Sequence, residues 1–231
     1  METICVSAVS VYTFAASMEN VNPANSDLLQ GAIDLFQRLG VKNVTMDEIA
    51  RNLGISKKTI YKQVCNKAAL VDQCCLFTLD SISSRIEEFS LQSKNAIEEL
   101  YSIDSFMRSK IKKQMHMVEF QISKYYPKAY QKLSEKRKIL ILHFQESNLH
   151  RGINEGLYRK EIQVDMVAQL YYSKTLSLMQ FFHELESPEK MELLMDEALK
   201  YHIRGIASKK GIEYLENRIL DPQTNESLLP T

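Results

Sequence analysis

Residues 45–67 read TMDEIARNLGISKKTIYKQVCNK, and this stretch decides the fold. Thr45 is a favourable N-cap, and Glu48, three places on, completes a capping box. Ile49, Ala50 and Leu53 then fall on one face of a helix. Gly54 stands at its end, where a left-handed backbone costs least. Ile55 anchors the turn, and Ser56 caps a second helix in which Ile60 and Val64 point inward. Lys58, Tyr61 and Lys62 lie opposite, flanked by Lys57 and Thr59, so the outward arc is cationic and rich in hydrogen-bonding groups. Asn66 can cap a third helix with the amide of Lys67 near its start, a place that suits a phosphate oxygen. Two short helices about a glycine turn, the second basic and aromatic, form a helix-turn-helix of the kind that sets one helix in the DNA major groove. The plainer reading is a helical hairpin with a solvated lysine face. The coincidence of cap, glycine, paired apolar positions and clustered charge favours DNA.

Composition narrows the alternatives. The chain has 231 residues, enough for one or two domains and a substantial core. Lys plus Arg number 29 and Asp plus Glu number 29, so a general positive coat is excluded and basicity is local. Arg38, Lys42, Arg51, Lys57, Lys58, Lys62 and Lys67 face only Asp47 and Glu48 across that stretch, a footprint for phosphates with salt-sensitive affinity. Glycine and proline are scarce and strand-like alternation is almost absent. The expected fold is all-α: an N-terminal three-helix DNA-binding domain over 27–72, followed by a helical-bundle regulatory and dimerisation domain over 73–219. Residues 1–26 are expected to be a disordered or dispensable extension and 220–231 a flexible tail. The opening METICVSAVSVYTFAAS is apolar, but Glu2 and the absence of Lys or Arg argue against a secretory signal, and it is too short to span a membrane. Met18 is an alternative start.

Residues 28–70 resemble the DNA-binding domain of the TetR family of bacterial regulators. The first helix, LLQGAIDLFQRLG, is similar in Ala32, Phe36 and Gly40, and the run T-x-x-E-I-A-x-x-L-G-I-S-K-x-T-I-Y-x-x-V-x-N-K-x-A-L matches the following three helices. The resemblance implies that Lys57 and Lys58 read bases and that Thr59, Tyr61 and Lys67 hold phosphates. Gln63 matches a position that touches DNA. With Thr45 and Lys62 these form the expected DNA-binding set. Val64 stands where phenylalanine is common and Cys65 where proline or a polar residue is common, so base preference does not transfer. The match covers about a fifth of the chain.

Beyond residue 67 a connecting helix is expected through Phe89, then a long one over about 95–125. Ile97, Leu100, Met107, Ile111, Met115, Val118 and Ile122 form one stripe of that helix, with Phe106, Met117 and Phe120 on the other side, the pattern of a central helix. Asp104 falls inside the stripe, where a carboxylate needs a basic partner or a ligand's amine. Pro127 breaks the chain before a helix from about Glu135 to Glu155 that carries His143 and Phe144 inward. Asp104, Met107, Met115, His116, Phe120, His143, Phe144 and Tyr171 are the candidate effector-binding residues, and each is as readily an ordinary core position. Cys74, on an apolar face with Leu70, Val71 and Phe77, reads as a buried thiol. Redox sensing through Cys65 is the sharper alternative.

The last two helices carry an association signal. Val164, Ala168, Tyr171, Thr175, Leu178, Phe182 and Leu185 alternate by four and three, and Leu194, Ala198, Tyr201, Gly205 and Ser208 give a second seam with small residues. Either could pack within the chain; the resemblance implies a two-fold four-helix dimer interface, with Ala168, Tyr171, Thr175, Leu178, Phe182, Leu194, Ala198, Tyr201 and Gly205 in it. A dimer also suits a palindromic operator on double-stranded DNA. The sequence therefore reads as a cytoplasmic, homodimeric repressor released by a small apolar or amphipathic molecule, with no cofactor, metal, catalytic residue or membrane contact. No P-loop, dinucleotide turn, nucleophile elbow or metal spacing recommends an enzyme. The alternative is an architectural or partner-controlled DNA-binding protein without a small ligand. Operator, ligand and regulated genes are not legible in the sequence.

Overall fold

A computed structural model describes residues 23–110, 113–181 and 187–219, with side chains over 26–109, 117–180 and nearly all of 187–217. The expectations for residues 1–22 and 220–231 lie outside the described residues. In chain order the helices are α1 (Pro23–Leu39), α2 (Met46–Leu53), α3 (Lys57–Tyr61), α4 (Lys67–Gln92) and α5 (Ala96–Lys110). There follow α6 (Lys113–Tyr125), α7 (Pro127–Asn154), α8 (Val164–Phe181), α9 (Pro188–Ile206) and α10 (Lys209–Tyr214), closed by a π-helical turn over Leu215–Ile219. The fold is all-α, and the one β-type pairing among the described residues is an isolated bridge between Tyr158 and Ala207. The expected helix over 95–125 is helical over Ala96–Lys110 and Lys113–Tyr125, and residues 111–112 lie outside the described residues. Pro127 not only ends α6 but starts α7, eight residues before the expected start, because a proline at the first helical position lacks only an amide that would go unbonded there.

The chain forms two compact units. One comprises residues up to Ile82 together with Met117–Glu135; the other comprises Ser83–His116 and the chain from Lys136 on. The expected linear boundary near residue 72 falls inside α4, and the first unit takes a second segment that sequence order alone does not suggest.

In the first unit Leu28, Leu29, Ala32, Leu35 and Phe36 of α1 bury against Ile49 and Ala50 of α2, Ile60 of α3 and Leu70, Val71 and Cys74 of α4. Ile122 and Ala129, from the later segment, close the same core. Gln121 fastens that segment: its Oε1 accepts from the Lys42 amide at 3.0 Å. Gly40 makes room for it, with φ of 81° and a position where a Cβ would come within 2.8 Å of the Gln121 amide.

In the second unit Ala96, Ile97, Leu100 and Ile103 of α5 pack with Phe144 and Leu149 of α7, Ala168 of α8 and Leu199 and Ile203 of α9. A closed polar network sits at the start of α5. Arg151 donates from Nε to Glu155 at 2.8 Å, from Nη1 to Glu99 at 3.0 Å and to the Ser90 carbonyl at 2.9 Å, and from Nη2 to the Ser93 carbonyl at 2.7 Å. Asn148 donates to Glu99 and to the Ala96 carbonyl, and accepts from the buried Tyr158 hydroxyl at 3.1 Å. The other Glu155 oxygen accepts from the Ala96 amide. Gly152 is required beside it, since a Cβ there would stand 2.0 Å from the Tyr158 ring.

Candidate DNA interface and effector site

The reading head forms from local rules. Thr45 is the N-cap of α2: its Oγ1 accepts from the Glu48 amide at 3.2 Å while Glu48 Oε2 accepts from the Thr45 amide at 2.7 Å. The Thr45 amide, and after it the Thr45 hydroxyl donating to the same oxygen at 3.0 Å, hold the Glu48 carboxyl below its ordinary range. Gly54 ends α2 with φ of 66°, and Ile55 donates back to the Ala50 carbonyl, which closes a Schellman-type cap and turns the chain into α3. Ser56 caps α3 by accepting from the Thr59 amide at 3.0 Å. Ile60 and Val64 are buried beneath, and the cationic arc faces outward.

Of the expected DNA-binding residues, Thr45, Lys57, Lys58, Thr59, Tyr61 and Lys62 are exposed. Lys57 Nζ rests on Asp47 Oδ1 at 2.6 Å, and because both side chains are about half exposed or more, a phosphate or base edge displaces the carboxylate at a cost of ~1 kcal/mol or less. The Thr59 hydroxyl is shared with Ser56 at 2.8 Å. Two residues sit differently from expectation. Lys67 is half-buried and its ammonium donates to the carbonyls of Val41 and Lys42, at 2.6 and 3.3 Å. Burial lowers its pKa from the ordinary lysine value. Its side chain therefore fixes the loop before α2, while its backbone stands in the first turn of α4, where Asn66 Oδ1 caps the Ala69 amide at 2.9 Å. Gln63 is half-buried, with its carbonyl oxygen turned inward and unpartnered among the described residues.

The effector candidates are only partly gathered. Asp104, Met107, Phe144 and Tyr171 belong to the second unit. His143 also lies there, half-buried on α7. Phe120 is in the first unit, 54% exposed with the Lys124 ammonium over its ring, because the segment from Met117 packs with the reading head. The side chains of Met115 and His116 lie outside the described residues.

Around Asp104 the structure assembles a polar cluster whose other members, Tyr171 apart, the sequence reading missed. Arg108 Nε approaches Asp104 Oδ2 to 2.9 Å without hydrogen-bond alignment, so that oxygen has no aligned donor. Arg108 also reaches Asp196 of α9 at 3.4 Å. Lys174 of α8 stacks its ammonium over the Tyr171 ring at 4.3 Å, and Tyr171 also meets the His202 ring in an edge arrangement, with centroids 4.9 Å apart. His202 Nε2 is 2.9 Å from Gln145 Nε2 of α7. The buried Tyr101 hydroxyl and Gln145 Oε1 have no partner among the described residues. Burial raises the Asp104 carboxyl to about 6 despite the opposing charges of Arg108 and Lys174. Burial lowers Lys174 to about 8, against the pull of Asp104, and lowers His202 to about 3 with Lys174 adding to the effect, so His202 is neutral. The Tyr101 and Tyr171 hydroxyls are pushed up, again chiefly by burial. Lys174 and His202 escaped notice because they adjoin apolar seam residues, and a lysine there reads as a solvated flank.

The expected association seam is also split. Ala168 is fully buried within the chain, while Tyr171 is half-buried with its ring against His202. Thr175, Leu178 and Ala198 are half-buried, while Leu194, Tyr201 and Gly205 are exposed, Tyr201 to 82%. The side chain of Phe182 lies outside the described residues. Met166, Leu170 and Leu193 add exposed apolar surface on α8 and α9 that the heptad reading did not select. No helix among the described residues is long and apolar enough to cross a membrane.

Comparison with known proteins agrees with this arrangement. Residues 28–74 match the model for bacterial regulatory proteins of the tetR family. The HTH-type transcriptional repressor KstR2 of Mycobacterium tuberculosis is 25% identical over 155 residues, which cover 64% of this chain and 75% of that one. Among solved structures, a transcriptional regulator from Cytophaga hutchinsonii superposes with a TM-score of 0.72 at 15% identity, covering 81% of this chain and 100% of the other. The regulator FadR from Bacillus subtilis, solved in complex with stearoyl-CoA, gives 0.62 at 18% identity over 78% of this chain and 98% of its own. The family and these relatives are transcriptional regulators, not enzymes. A capped, outward-basic helix-turn-helix whose segment, residues 28–74, matches the tetR-family model, in an all-helical fold shared with such regulators, makes this chain similar to TetR-type transcriptional regulators.

Proposed function

We propose that the protein is a homodimeric, cytoplasmic repressor that binds a palindromic operator and leaves it when a small apolar or amphipathic molecule enters the second unit. The observation that carries this reading is the α3 surface, where Lys57, Lys58, Thr59, Tyr61 and Lys62 are exposed together over the buried Ile60. Lys57 and Lys58 address base edges, while Thr59, Tyr61 and the first turn of α4 address phosphates. The exposed Met166, Leu170, Leu193, Leu194 and Tyr201 of α8 and α9 supply the apolar area for a two-fold partner. Two heads then sit about one DNA turn apart and read both half-sites. Release follows by linkage: the effector must bind the operator-incompetent arrangement more tightly than the competent one. The repressor activity of the KstR2 relative and the stearoyl-CoA held by FadR support this reading by analogy.

The test is recovery of genomic DNA fragments by the purified protein at near-physiological salt, with sedimentation at micromolar concentration. Enrichment of one or a few palindromic sites by a dimer is the expected result. Uniform, salt-labile recovery, or a monomer, would overturn it in favour of an architectural DNA-binding protein.

A further inference from the structure

The polar cluster of the second unit is incomplete, and what it lacks indicates what it takes. Lys174 is half-buried, yet among the described residues the one contact of its ammonium is the face of Tyr171. Among the described residues no carboxylate lies within 4 Å of it; Asp104 is turned to Arg108, and Asp196 is shared between Arg108 at 3.4 Å and Lys200 at 2.5 Å. A π-face compensates a buried cation only in part. Gln145, fully buried, also leaves its carbonyl oxygen bare, and the Tyr101 hydroxyl has neither donor nor acceptor. Because His202 can donate or accept according to its tautomer, the Gln145 amide can present either end to a ligand. The surroundings are apolar: Tyr101, Phe106, Met107, Leu142 and Phe144 belong to the core on which this cluster lies.

We propose that the effector is an apolar monocarboxylate, such as a medium- or long-chain fatty acid, whose carboxylate pairs with the Lys174 ammonium inside the second unit. This rests on the regulator reading above. A single negative charge matches Lys174, which among the described residues is a half-buried cation of the cluster without an ion pair, whereas Arg204 is exposed to solvent. An amine would add a third positive charge beside Arg108 and Lys174. A neutral alcohol would leave the ammonium uncompensated. A coenzyme A thioester would bring several phosphates to a cluster with one unspent ammonium, and its carbonyl carries no charge.

The pairing requires protonated Lys174. The groups around it are Tyr101, Asp104 and Arg108 on α5, Tyr171 on α8, and Asp196, Lys200, His202 and Arg204 on α9. On α7, Arg137 addresses Met179 and Lys138 lies over the Tyr172 ring of α8. Between pH 7 and 9.5 Asp104 stays ionised, His202 stays neutral, and the tyrosines, raised by burial, stay protonated. Lys174 is the member of the cluster that titrates in that interval, starting from about 8 in the free protein.

The experiment is calorimetric titration of the full chain with decanoate, decanol, decylamine and decanoyl-CoA at pH 7 and pH 9.5, on wild type, Lys174→Met and Lys174→Arg. Decanoate should bind at least about tenfold tighter than decanol or decylamine at pH 7, and weaken by roughly 30-fold at pH 9.5 as the ammonium is lost. Lys174→Met should abolish that preference, and Lys174→Arg should keep binding but remove its pH dependence. Circular dichroism and recovery of the same genomic fragments confirm that both variants fold. Equal binding of decanol and decanoate, an affinity independent of pH, or a preference for the thioester would overturn the assignment. If fragments are recovered specifically but no carboxylate binds, the ligand class fails while the regulator reading stands; if no specific fragment is recovered, the regulator reading fails whatever the calorimetry shows.

Discussion

Two polar clusters lie inside the second unit, and they are built differently. In the Arg151 network all three guanidinium nitrogens donate, both Glu155 oxygens accept, and Asn148 donates and accepts at once. In the Asp104–Lys174 cluster an ammonium, a hydroxyl and two oxygens have no aligned polar partner among the described residues. Both sit in a low-dielectric interior where an unpaired polar group is costly. A chain that closes one network so fully has no chemical reason to leave the other open for stability alone. The closed cluster holds the start of α5 against α7. The open one keeps its unmet groups for something the chain does not supply.

The sharpest way to break this contrast is to remove the central cation of each cluster. Arg151→Ala should lower unfolding free energy by about 3 kcal/mol or more, because it strands buried Glu99 and two backbone carbonyls. Lys174→Met should be neutral or stabilising, since it removes a desolvated charge without orphaning a hydrogen bond. Urea denaturation at pH 7 measures both, and equal losses would erase the distinction.

A second test uses pH. The Asp104 carboxyl is raised by burial from 3.8 to about 6. A raised carboxyl contributes stability fully present below its unfolded value and lost as pH rises through its folded value. Asp104→Asn should therefore gain on wild type between pH 4 and pH 7, by up to about 3 kcal/mol. An unchanged difference across that window would mean that Arg108 already compensates the carboxylate.

The reading head offers smaller effects. Thr45→Ala removes the N-cap and one half of the capping box, for an expected loss of about 1 kcal/mol in thermal unfolding of the head. Lys57→Ala should change stability by less than about 0.5 kcal/mol, since its ion pair with Asp47 is exposed. It should nevertheless re-rank operator sequences, whereas Lys67→Ala should weaken all of them alike, through loss of the bonds to the Val41 and Lys42 carbonyls. Competition binding with single-base operator variants separates the two outcomes.

These contrasts also mark how far the sequence could be read. Cap, glycine turn and inward pair in residues 45–67 were legible because each acts within four residues of its partner, and the structure forms them as read. Asp104 was legible as an anomaly, a carboxylate in an apolar stripe. Its partner Arg108, four residues on, was within reach of the same periodicity. Lys174, His202 and Gln145 were not, because they come from α8, α9 and α7 and meet only when those helices pack. Ala168 shows the converse: a heptad pattern identifies an apolar seam but not whether a given position faces the chain's own core or a second copy.

The sequence by itself determined the all-helical class, the helix-turn-helix and its exposed basic side, since those depend on hydrogen bonds and periodicities a few residues long. Tertiary structure alone decided that Met117–Glu135 joins the reading head's unit, that Lys67 spends its ammonium on a loop, and that Lys174 stands without an anionic partner beside Tyr171. Those outcomes follow from burial and from contacts between residues far apart in sequence, and the cost of burying a charge is set by what surrounds it, which no local pattern encodes.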